Sequence, residues 1–145
     1  MRLVVALRDK ASRVAVQKII YLADNDFVRR RIAANVILML TGLSTRIRNE
    51  TGLKYYRAKL GPFSTQLQNA IKCLLKAGEI DEVFYDGRFV YTAKNLKEPN
   101  VKEYFAKVVE KYSKLPDEEL IELAINRSKF DPTVFRILLC RFNLF

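Results

Sequence analysis

Residues 61–91 read GPFSTQLQNAIKCLLKAGEIDEVFYDGRFVY, and this stretch carries the clearest structural signals of the chain. Its first half predicts a helix over residues 65–77, because apolar side chains recur there at helical spacing. The residues of this apolar side are Leu67, Ile71, Leu74 and Leu75. Thr65 with Gln68 three residues later fits a capping box at the helix start, and Gly78 fits the left-handed position just past the helix end.

The second half of the stretch predicts a β-hairpin. Two runs of aromatic and β-branched residues flank an Asp-Gly pair at residues 86–87. Asp-Gly between such runs is a strong hairpin signal, because both turn positions must tolerate a positive φ. The expected register places Phe84 opposite Phe89 and Val83 opposite Val90.

Most of the remaining chain predicts helices. A stripe of apolar residues at helical spacing covers residues 10–27. A second helix, which carries three arginines at residues 29–31 in its first turn, is apolar almost all round and is expected to be sandwiched between other elements. Residues 53–60 predict a strand. Three further helices are expected after the hairpin, over residues 101–114, 116–127 and 132–142.

The order of these elements indicates a fold. A strand, a helix of about thirteen residues, a glycine and an aromatic hairpin are typical of the end of a winged-helix domain. We therefore expect a mainly α chain with a small β-hairpin, of the α+β class, with a winged-helix-like core and a C-terminal helical extension. A length of 145 residues suits one hydrophobic core. Residues 1–98 are interpreted as a winged-helix-like basic domain and residues 99–145 as the extension, in one compact unit.

Two sequence segments carry a resemblance to a known family. The segment VQKIIYLAD at residues 16–24 and the turn and helix at residues 61–80 resemble the two marks of the phage-associated, antitoxin-like Panacea family. That family pairs a Leu-Gln-Lys-Leu-Leu-Tyr helix with a Tyr-Gly-Pro-(Tyr/Ser) turn that opens a helix. Val16 stands here for the usual Leu, and Leu60 for the usual Tyr. The resemblance implies a compact helical domain that neutralises a partner protein or regulates transcription.

The charge of the chain is large and unevenly distributed. Lys and Arg number 26 and Asp and Glu number 16, so the formal net charge is +10. Residues 1–59 hold 13 basic and 4 acidic side chains, whereas the rest of the chain holds 13 and 12. Such an asymmetric positive field raises encounter rates with anionic partners and is common in nucleic-acid-binding proteins. A polyanion, with double-stranded DNA first, is therefore the expected partner.

A DNA interface is expected on the polar side of the helix over residues 65–77. Asn and Gln can bond adenine bidentately, and Lys can meet guanine edges or phosphates. The candidate base-reading residues are Thr65, Gln66, Gln68, Asn69, Lys72 and Lys76. An ordinary surface helix is also polar opposite its apolar side, so a merely solvated face is the alternative.

Phosphate contacts are expected from basic residues outside this helix. These residues are Arg29, Arg30, Arg31, Arg46, Arg48, Arg57 and Lys59, with Arg88 beside the hairpin tip. The hairpin gives mixed evidence for a DNA contact. Arg88 can reach a phosphate, whereas Asp81, Glu82 and Asp86 repel a phosphate backbone.

Composition excludes several classes of chemistry. The sequence has no histidine, so Cys/His catalysis, Ser/His/Asp catalysis and imidazole metal sites are impossible. Cys73 and Cys140 stand among leucines and isoleucines, and we expect both to be core residues rather than part of a disulfide or zinc site. The sequence has no P-loop or glycine-rich nucleotide motif. We therefore expect no enzyme activity, no cofactor and no metal.

Apolar segments predict location and assembly. The apolar run near the start is too short for a secretory signal, and the longest apolar stretch, residues 32–43, is too short to span a bilayer. A cytoplasmic protein without a membrane partner is expected.

The apolar segment at residues 132–142 predicts either packing into the domain or the seam of a homodimer. Dimerisation is preferred, because winged-helix regulators usually read twofold-related half-sites.

Two functions compete on these observations. A DNA-binding transcriptional regulator explains the charge asymmetry, the polar helix side and the hairpin together. The alternative is a protein-interaction module, antitoxin-like or an adaptor, whose positive charge serves an acidic partner protein.

Overall fold

The chain alternates helices with short strands. The computed structural model describes residues 1–40 and 48–135, and these residues form five helices and two small three-stranded sheets. The helices are α1 (Arg2–Leu7), α2 (Arg13–Leu40), α3 (Thr65–Lys76), α4 (Glu103–Ser113) and α5 (Asp117–Ser128). The strands are β1 (Ala11–Ser12), β2 (Tyr55–Ala58), β3 (Gly61–Phe63), β4 (Ile80–Tyr85), β5 (Arg88–Ala93) and β6 (Val134–Phe135). The α+β class expected from the sequence is therefore confirmed.

Helix α2 is one continuous element where the sequence patterns predict two helices. Residues 13–40 contain neither glycine nor proline, so nothing in the chain breaks the helix near Phe27. The three arginines at residues 29–31 therefore lie in the middle of a 28-residue helix rather than in a first turn. The prediction that they lie in the first turn of a second helix is wrong for this reason.

The hairpin forms the first sheet with a strand from the start of the chain. The strand order is β1-β5-β4, and both pairings are antiparallel. Phe84 pairs with Phe89 and Val83 with Val90, which confirms the predicted register. Asp86 and Gly87 have φ values of 49° and 76°, as a tight turn with two left-handed positions requires.

Helix α3 begins one residue earlier than a capping box at Thr65 would require, because Thr65 is already its first residue. Ser64 has an extended backbone and is the N-cap, and its side chain accepts from the Leu67 amide at 3.4 Å. The predicted box from Thr65 to Gln68 is therefore not formed. Gly78, with a φ of 73°, follows the helix end as expected.

Cys73 contradicts the prediction that it is a core residue. Leu67, Ile71 and Leu74 of α3 are buried, whereas Cys73 is exposed. Two residues along a helix turn the side chain by about 200°, so a position two after Ile71 faces solvent. Cys140 lies outside the described residues.

The second sheet joins distant parts of the chain. The strand order is β3-β2-β6, with β2 antiparallel to β3 and parallel to β6. Pro62 is tolerated in β3 because that strand lies at the edge of the sheet. Val134 and Phe135 pair with β2, so the helix predicted over residues 132–142 is wrong at these positions. Residues 136–145 lie outside the described part of the chain.

Helix α1 is an element that the sequence patterns do not predict. Its six residues have no side-chain cap, and burial of Val4 and Val5 in the core stabilises it instead. Arg8, just past its end, donates to the Ser113 carbonyl at 3.1 Å and forms an ion pair with Asp117 at 2.6 Å. These contacts attach α1 to the connection between α4 and α5.

Residues 15–25 of α2 are buried without interruption, so the polar side chains among them need partners. Asp24 accepts from the Thr51 amide at 3.0 Å, from the Thr51 hydroxyl, and from the Tyr55 hydroxyl at 2.6 Å. Burial raises the pKa of Asp24, and these hydrogen bonds act in the opposite direction. Asp24 thereby fixes the chain between residue 51 and β2.

Three residues close to Asp24 in the sequence form hydrogen bonds with α4, with α5 and with the turn after α5. The Tyr21 hydroxyl and the Asn25 amide donate to Asp131 at 2.8 Å and 3.0 Å. Asp26 accepts from the Tyr112 hydroxyl of α4 at 2.8 Å and from Arg127 of α5. One continuous buried cluster accordingly contains apolar residues from both residues 1–98 and residues 99–145. Within the described residues, no helix has the length and apolar character needed to cross a membrane.

Replacement of Asp24 tests this arrangement. Asp24→Ala leaves the Tyr55 hydroxyl and the Thr51 amide without their acceptor, so we expect the free energy of unfolding to fall by about 3 kcal/mol. Urea unfolding measures this loss. Glu110→Ala, at an exposed position of α4, is the control, and its effect should stay within about 0.5 kcal/mol. Equal losses in both variants would contradict the anchoring role of Asp24.

Candidate nucleic-acid interface

The polar side of α3 faces solvent along the whole helix. Leu67 and Ile71 point into the core, and the opposite side carries the predicted base-reading residues. Five of these residues are exposed: Thr65, Gln66, Asn69, Lys72 and Lys76. Gln68 is half-buried and lies at the boundary between the two sides. Residues 1–40 and 48–135 therefore leave this side open to a large ligand.

A side chain of α2 holds the start of α3. The Gln17 amide nitrogen donates to the Ser64 carbonyl at 3.0 Å, and the Ser64 amide donates to the Gln17 side-chain oxygen at 3.0 Å. Both residues are fully buried. The Gln17 amide thus imitates a backbone partner for the residue that caps α3, and it fixes where the helix begins.

The next residue of α2 holds the turn before α3. The Lys18 ammonium donates to the Pro62 carbonyl at 2.7 Å, and burial lowers the pKa of Lys18 from 10.5 to about 8. Gly61 has a φ of 95°, and a Cβ there would lie 3.2 Å from Ile125 Cγ1. A larger residue would therefore be both strained and crowded at this turn.

These contacts give the two Panacea-like segments a shared structural role. Gln17 and Lys18 of the first segment bind the backbone of Pro62 and Ser64 of the second. Both segments can be recognised in the sequence, but their contact cannot be predicted from it, because they are more than forty residues apart in the chain. The matching residues position α3 and are themselves buried.

Lys54 joins the site although the sequence analysis did not select it. The Lys54 amide donates to the Gln66 side-chain oxygen at 2.8 Å, which brings this exposed lysine to the start of α3. β2 follows directly and pairs with β3, which leads into α3. A useful signal in the sequence was the position of Lys54 between two other basic positions, Arg48 and Arg57.

The end of α3 is fixed by an ion pair that the sequence analysis missed. Arg2 binds both carboxylate oxygens of Glu79, at 2.7 Å and 2.9 Å. The hydrogen bond from Arg2 lowers the pKa of Glu79 to about 2, with a smaller contribution from the Lys97 amide. Glu79 therefore keeps its charge at any ordinary pH and connects α1 to the turn after α3.

The arginines of α2 do not gather at the start of α3. Arg29 and Arg30 are exposed, but Arg29 lies twelve residues beyond Gln17, which is about 18 Å along the helix axis. Arg31 forms an ion pair with Glu50 at 2.6 Å and donates to the Arg48 carbonyl. Arg46 lies outside the described residues.

Three more of the predicted phosphate-binding residues lie before, in and just after β2. Arg48 is exposed and precedes the segment that Asp24 holds. Arg57 of β2 and Lys59 after it are exposed as well, on the strand that pairs with β3. Arg57 also donates to the Ser128 carbonyl at 3.4 Å, which directs its side chain toward the end of α5.

Arg88 has a protein partner. Its guanidinium lies 2.7 Å from Asp117 Oδ2, at the start of α5. The same carboxylate binds Arg8 and the Ser12 hydroxyl. A sequence view of the hairpin tip could not show this, because Asp117 is 29 residues away along the chain.

No outside comparison adds to this description. Comparison of the chain with protein-family models, with curated proteins and with solved structures gives no match. In residues 1–40 and 48–135, no group of three or more cysteine, aspartate or glutamate side chains is arranged to hold a metal ion. The resemblance to the Panacea family thus rests on its motif residues alone.

The buried amine of Lys18 makes stability depend on pH. Between about pH 8 and pH 10 the unfolded chain keeps the proton that folded Lys18 has lost, so the free energy of unfolding should rise with pH by up to about 1.4 kcal/mol per unit. In Lys18→Met this rise should disappear, whereas the exposed-lysine variant Lys59→Met should keep it. Urea unfolding across this range measures the slopes. The same slope in Lys18→Met and the wild type would show that Lys18 is not desolvated.

Proposed function

We propose that the chain is a winged-helix DNA-binding protein and that α3 enters the major groove. Support comes from the order of elements: α1, β1, α2, α3 and then the β4–β5 hairpin, with β1 paired beside β5. Three helices against such a three-stranded sheet are typical of winged-helix domains. The β2–β3 hairpin is then an insertion between the second and third helices.

One observation carries this proposal: the exposed polar side of α3. Thr65, Asn69, Lys72 and Lys76 follow one line along the helix, and the line covers about 16 Å at the standard rise. A helix can enter the major groove, which is about 12 Å wide. The Thr, Asn and Lys side chains on this line can bond base edges and phosphates, and this chemistry favours a reading role over a merely solvated face.

The side chains of α3 suit different parts of this task. Asn69 is exposed and carries both a donor and an acceptor, as bidentate contact with adenine requires. Gln66 has its side-chain oxygen engaged by Lys54 and offers its amide nitrogen. Lys72 and Lys76 supply charge for guanine edges or phosphates. Lys54, whose amide bonds the Gln66 side chain at the start of α3, can meet phosphates on one side.

The hairpin has a smaller part in this proposal than in a usual winged helix. Asp81, Glu82 and Asp86 are exposed and repel phosphates, and Arg88 is paired with Asp117. DNA recognition therefore falls to α3. Regulation of transcription from a cytoplasmic homodimer completes the proposal, because winged-helix regulators usually read twofold-related half-sites.

A pair of charge-matched variants tests the interface. Lys72→Glu/Lys76→Glu reverses two charges on α3, and Lys107→Glu/Lys111→Glu reverses two exposed lysines at the same spacing on α4. Both variants lower the net charge from +10 to +6, since each exchange removes two charges. We expect the α3 variant to lose at least about tenfold in affinity for a mixed-sequence DNA duplex, because phosphate and base contacts are replaced by repulsion. The α4 variant should lose clearly less.

Fluorescence anisotropy with a labelled duplex, at about 50 and 200 mM salt, gives these affinities. The wild type should bind with a steep salt dependence, and the α3 variant should show a shallower one, because each lost phosphate contact removes about 0.9 from the log-log slope. Equal losses in the two variants would place the interface elsewhere. A wild type that does not bind duplex DNA at the lower salt concentration would overturn the function.

The alternative from the sequence, an antitoxin-like or adaptor module for an acidic partner protein, stays a prediction. The β4–β5 hairpin carries exposed phenyl rings beside carboxylates, and this combination suits a basic partner protein rather than an acidic one.

A further inference from the structure

The β4–β5 hairpin exposes aromatic side chains that the core does not use. Phe84 and Phe89 are 67% and 61% exposed, and their rings contact each other edge to face with centroids 5.2 Å apart. Tyr85 is half exposed on the opposite face of β4, where the Lys10 ammonium lies 4.1 Å from the centroid of its ring. Exposed aromatic groups that cluster on one element are typical of protein-binding surfaces.

The phenyl pair lies on the face of the sheet that also lines the core. Phe84 lies on the same face of β4 as Ile80, because side chains alternate along a strand, and Phe89 lies on the same face of β5 as Tyr91. Ile80 and Tyr91 are buried, and the aromatic face continues outward from Tyr91 to Phe89 on β5, whereas the exposed Glu82 separates Ile80 from Phe84 on β4. The uncovered part of this face is therefore ready to receive side chains from another molecule.

Strand β4 also offers a free backbone edge. In the order β1-β5-β4 it lies at the end of the sheet, and β5 is its strand partner among the described residues. Five of its six residues are exposed. The backbone N–H and C=O groups on the outer side of such a strand can pair with an added strand.

The charges on this edge determine what kind of strand fits. The charged side chains of β4 and its turn are Asp81, Glu82 and Asp86, all exposed and all acidic, on a chain with a net charge of +10. Lys94 lies 3.8 Å from Asp81, but both side chains are more than half exposed, so this pair is weak. An incoming basic strand is favoured over an acidic one.

A second copy of the chain fits this edge poorly. Antiparallel pairing of two β4 strands brings Asp81, Glu82 and the turn residue Asp86 of one copy close to the same carboxylates of the other. Like charges directly opposite one another destabilise a strand pair. DNA is disfavoured at this surface by the same carboxylates.

We propose that the hairpin surface, defined as the outer edge of β4 with Phe84, Phe89 and the three carboxylates, binds an extended basic segment of a partner protein. The segment adds as a strand beside β4. Because side chains alternate along a strand, the aliphatic or aromatic side chains of the segment pack on the phenyl pair, and its Lys or Arg side chains lie on the opposite face, beside Asp81. This surface is separate from the polar side of α3, so the inference does not depend on DNA binding.

The probe for this proposal is the labelled peptide acetyl-Lys-Val-Lys-Val-Lys-Val-Lys-amide, with a matched peptide in which Glu replaces every Lys. Fluorescence anisotropy measures peptide affinity, and backbone amide shifts of residues 80–85 locate the contact. Phe84→Ser/Phe89→Ser removes the aromatic contact at exposed positions, and Phe130→Ser, at a phenylalanine that is 88% exposed, is the control. Circular dichroism verifies that each variant is folded.

We expect the basic peptide to bind the wild type and Phe130→Ser alike, and the double variant at least about tenfold more weakly. The acidic peptide should bind at least about tenfold more weakly than the basic one. Equal binding to wild type and double variant, equal binding of both peptides, or no binding of the basic peptide at about 1 mM would overturn the proposal.

Two further measurements separate this surface from other assemblies and from the DNA interface. The double hairpin variant should bind duplex DNA as the wild type does. Loss of peptide binding and loss of DNA binding can therefore be distinguished. Sedimentation analysis should give the same oligomeric state for wild type and double variant. A dimer that dissociates in Phe84→Ser/Phe89→Ser would assign the surface to a second copy and overturn the partner named here.

Discussion

A buried helix that carries polar side chains is stable only when each of them has a partner, and this constraint organises the whole molecule. Residues 15–25 of α2 are all buried, and they include Tyr21, Asp24 and Asn25. Their hydrogen-bond partners lie in and just before β2 and in the turn after α5. Asp26 forms further hydrogen bonds with residues of α4 and α5. Each hydrogen bond satisfies a costly buried group and also fixes the position of a distant element.

The same constraint places the proposed DNA-reading helix. Gln17 and Lys18 have no solvent to satisfy them, and they bind the backbone that leads into α3. Glu79, buried at the other end of α3, depends likewise on Arg2. The orientation of the exposed side of α3 is therefore a consequence of buried polar groups at its two ends, while Leu67 and Ile71 decide which side is buried.

Charge divides the surface into two regions with different proposed partners. The side of α3 carries amides and lysines and has Lys54 near its start. The hairpin surface carries phenyl rings and carboxylates, although the chain as a whole is basic. A protein with both surfaces can hold an anionic polymer with one and a basic partner with the other, because each surface repels the ligand of its neighbour.

The sequence alone predicts the helix that begins after Ser64, the strand register about Asp86 and the approximate span of α4 and α5. These features are predictable because helical spacing and turn residues act within a few positions of the chain. Tertiary structure decided what depends on distant partners. Arg88 is held by Asp117, and Val134 joins β2 as a strand despite its apolar helical surroundings in sequence. Such outcomes arise from contacts between residues far apart in the chain, and no local pattern records them.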